Sequence, residues 1–543
     1  MTDVTDVTVD DVRTTNATAD AVVIGAGPNG LVAAAMLADA GWDVCVLEAA
    51  DEVGGAVKSQ ELQPGYVTDL YSAFYPMAAA SPYIRALALE DHGLTWRHAP
   101  AVLAHPSGPD ADAAAVLYRD PHRTADGLDR DHPGDGRAWL DLLAQWQRIR
   151  EPFLHLLFSP FPPVRGTVGL LRAVGTRDAL RLARTLMLPV ARLGTELFGG
   201  RHGPLLLTGN AMHADVPVVA PGSGAFGWLM SMLAQDVGFP VPEGGAGRLA
   251  AALLRRAESA GAQVVTGCQV EGVEVRGGRA VGVRLAGGGR LRARRAVLAD
   301  VAAPTLYRSL LPADAVPRRL LEEIDGLFTA DLPTVKVNWA VRGRVPWQVP
   351  GLAEAGTLHV GADNGQLALW SAALSTGQPS DITFQLMGQL AVADPTRAPE
   401  GHETLWAYSH LPRGNPDAGA AERLAERMEE TVERHAPGFR DLIGTRLRQL
   451  PQDLEADDAN LLDGAINGGT AQLFQQLVFR PTPGLGRPET PVAGLYLASA
   501  GAHPGGGVHG GPGGIAATAV LHGAALAGSG ARALARTTRW LAG

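Results

Sequence analysis

Cysteine is almost missing from these 543 residues: Cys45 and Cys268 are the only two, they lie far apart, and no CxxC pair exists. That excludes a redox dithiol and a zinc knuckle, and with them disulfide-reductase chemistry. Cys45 falls within an apolar strand pattern, where a thiol is a small buried hydrophobe. Lysine is just as scarce: among 46 basic residues only Lys58 and Lys336 are lysines. No apolar run of about 18 residues is free of charges and helix breakers, so no membrane span is expected. Residues 1–19, rich in Asp, Thr and Val, lack the basic and apolar regions of a signal peptide and read as a disordered leader. There is no Ser-His-Asp set, no HExxH and no cluster of metal ligands, so no metal is expected. A net charge of −10 offers a polyanion little to hold, and nucleic acid is not an expected partner.

What is present begins near residue 20. Ala21–Ile24 runs an apolar strand into Gly25-Ala26-Gly27-Pro28-Asn29-Gly30 and then into an alanine-rich helix, Leu31 to Ala40. Gly25 allows the tight turn, Gly27 lets backbone approach a pyrophosphate, and Gly30 lets helix and strand pack closely. The helix N-terminus adds free N–H groups and a positive dipole end. A second strand, Asp43–Leu47, ends in Glu48, placed to accept ribose hydroxyls. The spacing predicts a dinucleotide-binding βαβ unit with Gly25, Gly27, Pro28, Asn29, Gly30 and Glu48 at the ligand, a plain βαβ turn being the alternative.

Val53-Gly54-Gly55-Ala56, close behind Glu48, resembles the GG motif of FAD-binding proteins of the glutathione reductase type. Far downstream, Gly494 to Gly514 leads into the helix-like run Ile515 to Leu526 and resembles the C-terminal flavin signature of the phytoene desaturase family. Within that superfamily, Glu403–His410, Asp463–Thr470 and Gln475–Pro481 are similar to the group named for pyridine nucleotide-disulfide oxidoreductase domain-containing protein 2. The disulfide part of that name has no support in these residues.

The resemblance implies an α/β fold: a discontinuous glutathione reductase-type, Rossmann-like FAD-binding domain with an inserted α+β substrate domain. The FAD domain is expected at 20–75, 238–305 and 485–535, and the substrate or cap domain at 76–237 and 306–484. Its middle piece is legible as the alternating segments Val273–Val275 and Ala280–Leu285 around a glycine turn, followed by Leu291–Asp300. FAD contacts are carried to Gly54, Gly55, Ala56, Val270, Gly501, Val508, Gly513 and Gly514. The helix after Gly513 would aim its N-terminal dipole at the pyrimidine side of the ring and stabilise charge that appears there on reduction. No cysteine lies in that segment, which excludes a cysteinyl flavin link there.

Flavin supplies the hard chemistry, so the protein need only bind it, exclude water and hold a substrate C–H near N5. The implied reaction moves hydride from an apolar, isoprenoid- or carotenoid-like carbon to N5, with oxygen or a quinone reoxidising the flavin. Two rivals remain at this point: an amine oxidase-like flavoenzyme, and a flavin-binding regulatory protein with little turnover. Lys58, beside the glycine pair, reads as a point charge on phosphate. Lys336, in the alternating Pro333–Trp339, either holds a water at N5, as lysines do in related amine oxidases, or sits on a strand's solvent face. His503 and His509 read as turn packing or substrate contact, with His503 the catalytic candidate. Tyr71, Tyr75, Trp406 and Tyr408 line an apolar tunnel or pack a core, Tyr71 and Tyr75 being nearest the cofactor. The arginine-rich stretch 153–198 is either a helix lying on anionic lipid or a helical cap with a solvated basic face. A cytoplasmic enzyme, membrane-peripheral through that stretch, is expected, or a mitochondrial matrix one from a eukaryotic source.

Overall fold

The computed structural model describes residues 16–108, 111–414 and 419–525. The predicted βαβ unit is present as β1 (Asn16–Ile24), α1 (Pro28–Asp39) and β2 (Val44–Leu47). β1 and β2 run parallel, with Ala21 opposite Val44 and Ile24 opposite Leu47. Val22, Val23, Val44 and Val46 are fully buried, as expected of parallel strands covered on both faces.

Five parallel strands form the nucleotide sheet in the order Gln263–Val265, β2, β1, Arg290–Ala299, Leu495–Leu497. Strand order reverses between β1 and Arg290–Ala299, and the carboxyl ends of those two strands open the crevice where such sheets take a ligand. Val270–Arg276 and Arg279–Leu285 extend the sheet as an antiparallel meander onto the first half of Arg290–Ala299. The chain thus returns to this sheet from three distant stretches, as the discontinuous domain required.

A second sheet of seven strands runs in the order Ile443–Gln449, Thr334–Val341, Glu403–His410, Gln385–Gln389, Ala355–Val360, Ala101–Pro106, Ala114–Leu117. Its pairings are antiparallel except that of Ala355–Val360 with Ala101–Pro106. Helices between residues 121 and 236 cover one face, with Trp139, Trp146 and Trp228 fully buried among them.

Three expectations need correction. Residues 1–15 of the expected leader lie outside the described residues, but 16–19 are strand: Ala17 pairs with Leu291 and Ala19 with Ala293. Their small side chains alternate onto a core cluster, and the long strand Arg290–Ala299 supplies a partner for them. The boundary at 305/306 falls too early, because Leu306, Tyr307, Leu310, Leu320 and Ile324 pack in the core of the nucleotide sheet. The boundary at 75/76 is early for the same reason: Ala78, Ile84, Leu87 and Leu94 belong to the core cluster that also holds α1 and the nucleotide strands. Residues 526–535 of the expected FAD domain lie outside the described residues. Cys45 and Cys268 are buried in one core cluster, and burial pushes the Cys45 thiol up to about 12.

Candidate functional site

The nucleotide end is built from backbone. Gly25 sits at φ +94°, and a Cβ there would lie 2.7 Å from the Asp300 carbonyl oxygen. A Cβ at Gly30 would lie 2.2 Å from the Gly25 carbonyl oxygen, so the helix meets the turn only because residue 30 is glycine. The Glu48 carboxylate accepts from the Ala26 amide at 2.7 Å and the Ala50 amide at 2.9 Å. Gly54 donates its N–H to the Ala26 carbonyl at 2.9 Å, which ties the glycine pair to the first turn. Cys268 donates its N–H to the Glu48 carbonyl, bringing the start of the strand at Val270 beside the same acid.

Two distant parts of the chain converge here. A Cβ at Gly513 would lie 1.9 Å from the Asn29 carbonyl oxygen, and one at Gly514 would lie 2.3 Å from the Tyr83 ring. These glycines therefore let the helix Gly511–Ala525 lie directly on α1 and Tyr83; close packing, and not only approach to a ring, demands them. Gly501 packs on Ala303 in the same region. Lys58 pairs with Glu52 at 3.6 Å.

Sequence reasoning missed Asp300. It ends the strand Arg290–Ala299 as Glu48 ends β2, and its carboxylate accepts the Gly30 amide at 2.8 Å. Burial pushes its carboxyl up to about 7, against the opposing pull of Gly30 and Asn29. The acid directly after an apolar strand was the available signal.

Beside this turn lies a cavity of about 270 Å³, reached by Ala56 on one wall and by Val508 and His509 on another. Its floor is the second sheet, whose register sets side chains in two rows. Lys336, Tyr408, Leu386 and His359 form one row across four strands; Asn338, Trp406, Gly388 and Thr357 form the next. Trp406 and Tyr408 stack at 5.9 Å and 10° and, with Tyr71 and Phe74, border the cavity. A Cβ at Gly388 would lie 2.4 Å from Trp406 Nε1, so that glycine admits the indole.

Three expected residues stand elsewhere. Lys336 is neither on a solvent face nor on the cavity wall. Its Nζ donates to the Asp69 carbonyl at 2.6 Å and the Tyr71 carbonyl at 2.7 Å, 5.2 Å from the centre of the Trp406 ring. Burial brings its ammonium down to about 7, with Asp69 opposing and the nearby Arg397 reinforcing the shift. Tyr75 precedes the helix Pro76–Ala80 and turns into the nucleotide core, its hydroxyl donating to the Ser72 carbonyl and its ring against Trp96. His503 is buried beside Leu157 and Ser159 and does not border the cavity; burial brings it down to about 4.

His509 does border it. Its Nδ1 accepts the Gly511 amide at 3.0 Å, which leaves Nε2 to donate to the Gly506 carbonyl at 3.1 Å. Arg480, fully buried, donates to the carbonyls of Gly468, Thr470 and Ala500 and so fixes the loop carrying Asn467 on the cavity wall. It lay inside Gln475–Pro481, a segment that marked the family without disclosing a role. His213, also on the wall, was missed for want of any local motif.

The turn that extra Cβ atoms would fill, the Glu48 carboxylate beside it and the adjoining cavity fit an adenine–isoalloxazine dinucleotide. A family model described as flavin containing amine oxidoreductase matches residues 29–520. The chain belongs to that family. It is 29% identical to the rat pyridine nucleotide-disulfide oxidoreductase domain-containing protein 2, over 92% of this chain and 93% of the relative. It is 28% identical to the neurosporene-forming phytoene desaturase of Cereibacter sphaeroides, over 90% and 92% respectively. A solved oxidoreductase from Methanosarcina mazei superposes with a TM-score of 0.58 at 17% identity, covering 92% of this chain and 99% of its own. This member is an FAD-dependent oxidoreductase. Among the described residues no helix is long and apolar enough to cross a membrane, and no group of His, Cys, Asp or Glu could hold a metal.

Proposed function

We propose that the protein desaturates an apolar, isoprenoid-like substrate, passing hydride to FAD N5, with oxygen or a quinone as the final acceptor. The observation that carries this reading is the cavity itself. Aromatic and aliphatic side chains, Tyr71, Phe74, Met77, Phe226, Leu229 and Trp406 among them, line the space beside the glycine-rich Gly505–His509 turn. The lysine on which an amine oxidase reading depends is held by two backbone carbonyls next to Trp406, away from that wall. The desaturase names of relatives such as that of C. sphaeroides support the same class.

FAD would be held by the Gly25–Gly30 turn, Glu48, Gly54 and Gly55, and when bound it supplies a two-electron acceptor for a C–H bond. The chain's own part is to exclude water and to orient the substrate over Trp406 and Tyr408. Anaerobic mixing of the flavoprotein with phytoene, limonene or putrescine tests the reading. Bleaching of the flavin by a hydrocarbon supports it; bleaching by the amine alone, with peroxide released on admitting air, overturns it.

The same reading includes a lipid surface that delivers such a substrate. Leu180 is 79% exposed and Met187 66% on the helix Thr176–Met187, near Arg172, Arg177 and Arg181. Gly222 donates its N–H to the Met187 carbonyl, and a Cβ at Gly222 would touch the Leu473 side chain. This joins the helix to the exposed Leu473, Phe474 and Phe479. Apolar side chains among arginines suit the interface of an anionic bilayer, and Phe226 and Gln476 connect this face with the cavity.

A further inference from the structure

His213 stands on the cavity wall in a single turn, Met212–Ala214, at the end of the helix His202–Ala211. Its Nε2 lies 2.9 Å from Nε2 of His359, on the strand Ala355–Val360. Behind His359 stands His105 of the neighbouring strand Ala101–Pro106, edge-on at 5.3 Å and 83°. Three imidazoles thus lead inward from the cavity.

Hydrogen bonding orders their protons. His105 Nε2 lies 2.9 Å from the Ala362 carbonyl, which can only accept, so Nε2 carries a hydrogen; the Leu205 carbonyl also lies against this ring. His105 Nδ1 and His359 Nδ1 are both buried without partners. They face one small space: a Cβ at Gly209 would lie 2.7 Å from the first and 2.2 Å from the second. With the hydrogen of neutral His359 on Nδ1, its Nε2 is left with a lone pair. His359 Nε2 then accepts, His213 Nε2 donates, and the lone pair of His213 falls on Nδ1. That nitrogen has no hydrogen-bond partner among the described residues.

We propose that His213 Nδ1 is the general base of the reaction, with His359 and His105 as positioning residues that hold its tautomer. The inference rests on the desaturation reading given above. Two C–H bonds break and one C=C bond forms. One carbon gives up hydrogen with its electron pair, a two-electron reduction of the bound FAD. The electron pair of the neighbouring C–H becomes the π bond, and its proton goes to His213 Nδ1.

The surroundings suit the task. Burial holds His213 down at about 4 and also pushes His359 well below the usual imidazole value, so both are neutral near pH 7; Asp215 opposes the shift on His213. Asp215 is itself engaged by His410 at 2.7 Å and by Asn467, and the remaining ring against His213 is the apolar Phe239. An unprotonated imidazole facing an apolar cavity can take a proton from carbon, and its relay partner can share the charge.

Two measurements test this. In the FAD-loaded full chain labelled with 15N-histidine, one imidazole N–H should couple to a second imidazole nitrogen and lose that coupling in His359→Phe. Its absence from the unaltered protein overturns the tautomer argument. In anaerobic flavin bleaching by phytoene or limonene, His213→Gln should slow reduction about 100-fold or more. Flavin content, circular dichroism and the dissociation constant of the hydrocarbon should stay near those of the parent. His359→Phe should show a smaller loss, with a displaced pH profile. If the parent bleaches and His213→Gln bleaches equally fast, the base is wrong while desaturation stands. If neither hydrocarbon bleaches the parent, desaturation falls and the base falls with it.

Discussion

The amide of Gly30 donates to the Asp300 carboxylate across 2.8 Å, although 270 residues separate them in the chain. The bond fixes the first turn of α1 against the end of the strand Arg290–Ala299, on the floor of the dinucleotide crevice. Asp300 is raised to about 7 in the fold. Its unfolded value is near 4, so the folded state binds the extra proton and this group's stabilisation is lost as pH rises from about 4 to about 7. Asp300→Asn, neutral at every pH, should flatten that part of the stability profile. Thermal unfolding of both proteins at pH 4.5, 6 and 7.5 checks it; parallel profiles would sink the assignment.

Glu48→Ala should cost flavin. The carboxylate orders the Ala26 and Ala50 amides and stands where ribose hydroxyls would be met. Hydrogen bonds to a charged group contribute about 1.5–3 kcal/mol, which corresponds to roughly a tenfold to hundredfold weaker FAD complex. Equilibrium dialysis with FAD measures it directly.

Gly513→Val places carbon where the Asn29 carbonyl stands. The helix Gly511–Ala525 must then move off α1, so both the melting temperature and the bound flavin should fall. A simple glycine turn without that contact would leave flavin content unchanged, and absorbance near 450 nm against protein concentration separates the two.

Lys336→Met keeps length but leaves the carbonyls of Asp69 and Tyr71 without their donor. A loss of about 1–3 kcal/mol of stability is expected from the unsatisfied groups. Because the folded ammonium is depressed to about 7 and the unfolded one titrates near 10.4, Lys336 makes stability rise with pH between those values. Denaturant titrations at pH 7 and 9.5 should show that rise in the parent and a smaller one in the variant.

Leu180→Glu with Met187→Glu should weaken co-sedimentation with vesicles containing phosphatidylglycerol while leaving flavin content intact. Equal sedimentation of parent and variant would exclude this face as the lipid contact.

The βαβ unit was legible in sequence because each step of it is local: a strand, a glycine turn and an acid at fixed spacing. Cavity residues were legible only in part. Trp406 and Tyr408 alternate on one strand, so both border the cavity. Tyr75 escaped the same reasoning, since its place before the helix Pro76–Ala80, and not its chemistry, turns it inward. Lys336 was singled out by scarcity, but only pairing across strands shows that its ammonium ends on the carbonyls of Asp69 and Tyr71. His213, His359 and His105 come from three separate elements, so no spacing in the chain could join them.

The five parallel strands that carry the nucleotide have a kinetic corollary. The strand Leu495–Leu497 and the helix Gly511–Ala525 are the last described elements to leave the ribosome, yet they complete the sheet and seat on α1. During translation the earlier strands must wait, partly built, for hundreds of residues. Cofactor capture is therefore a late event, and a nascent chain halted before residue 511 should depend on chaperones and emerge colourless.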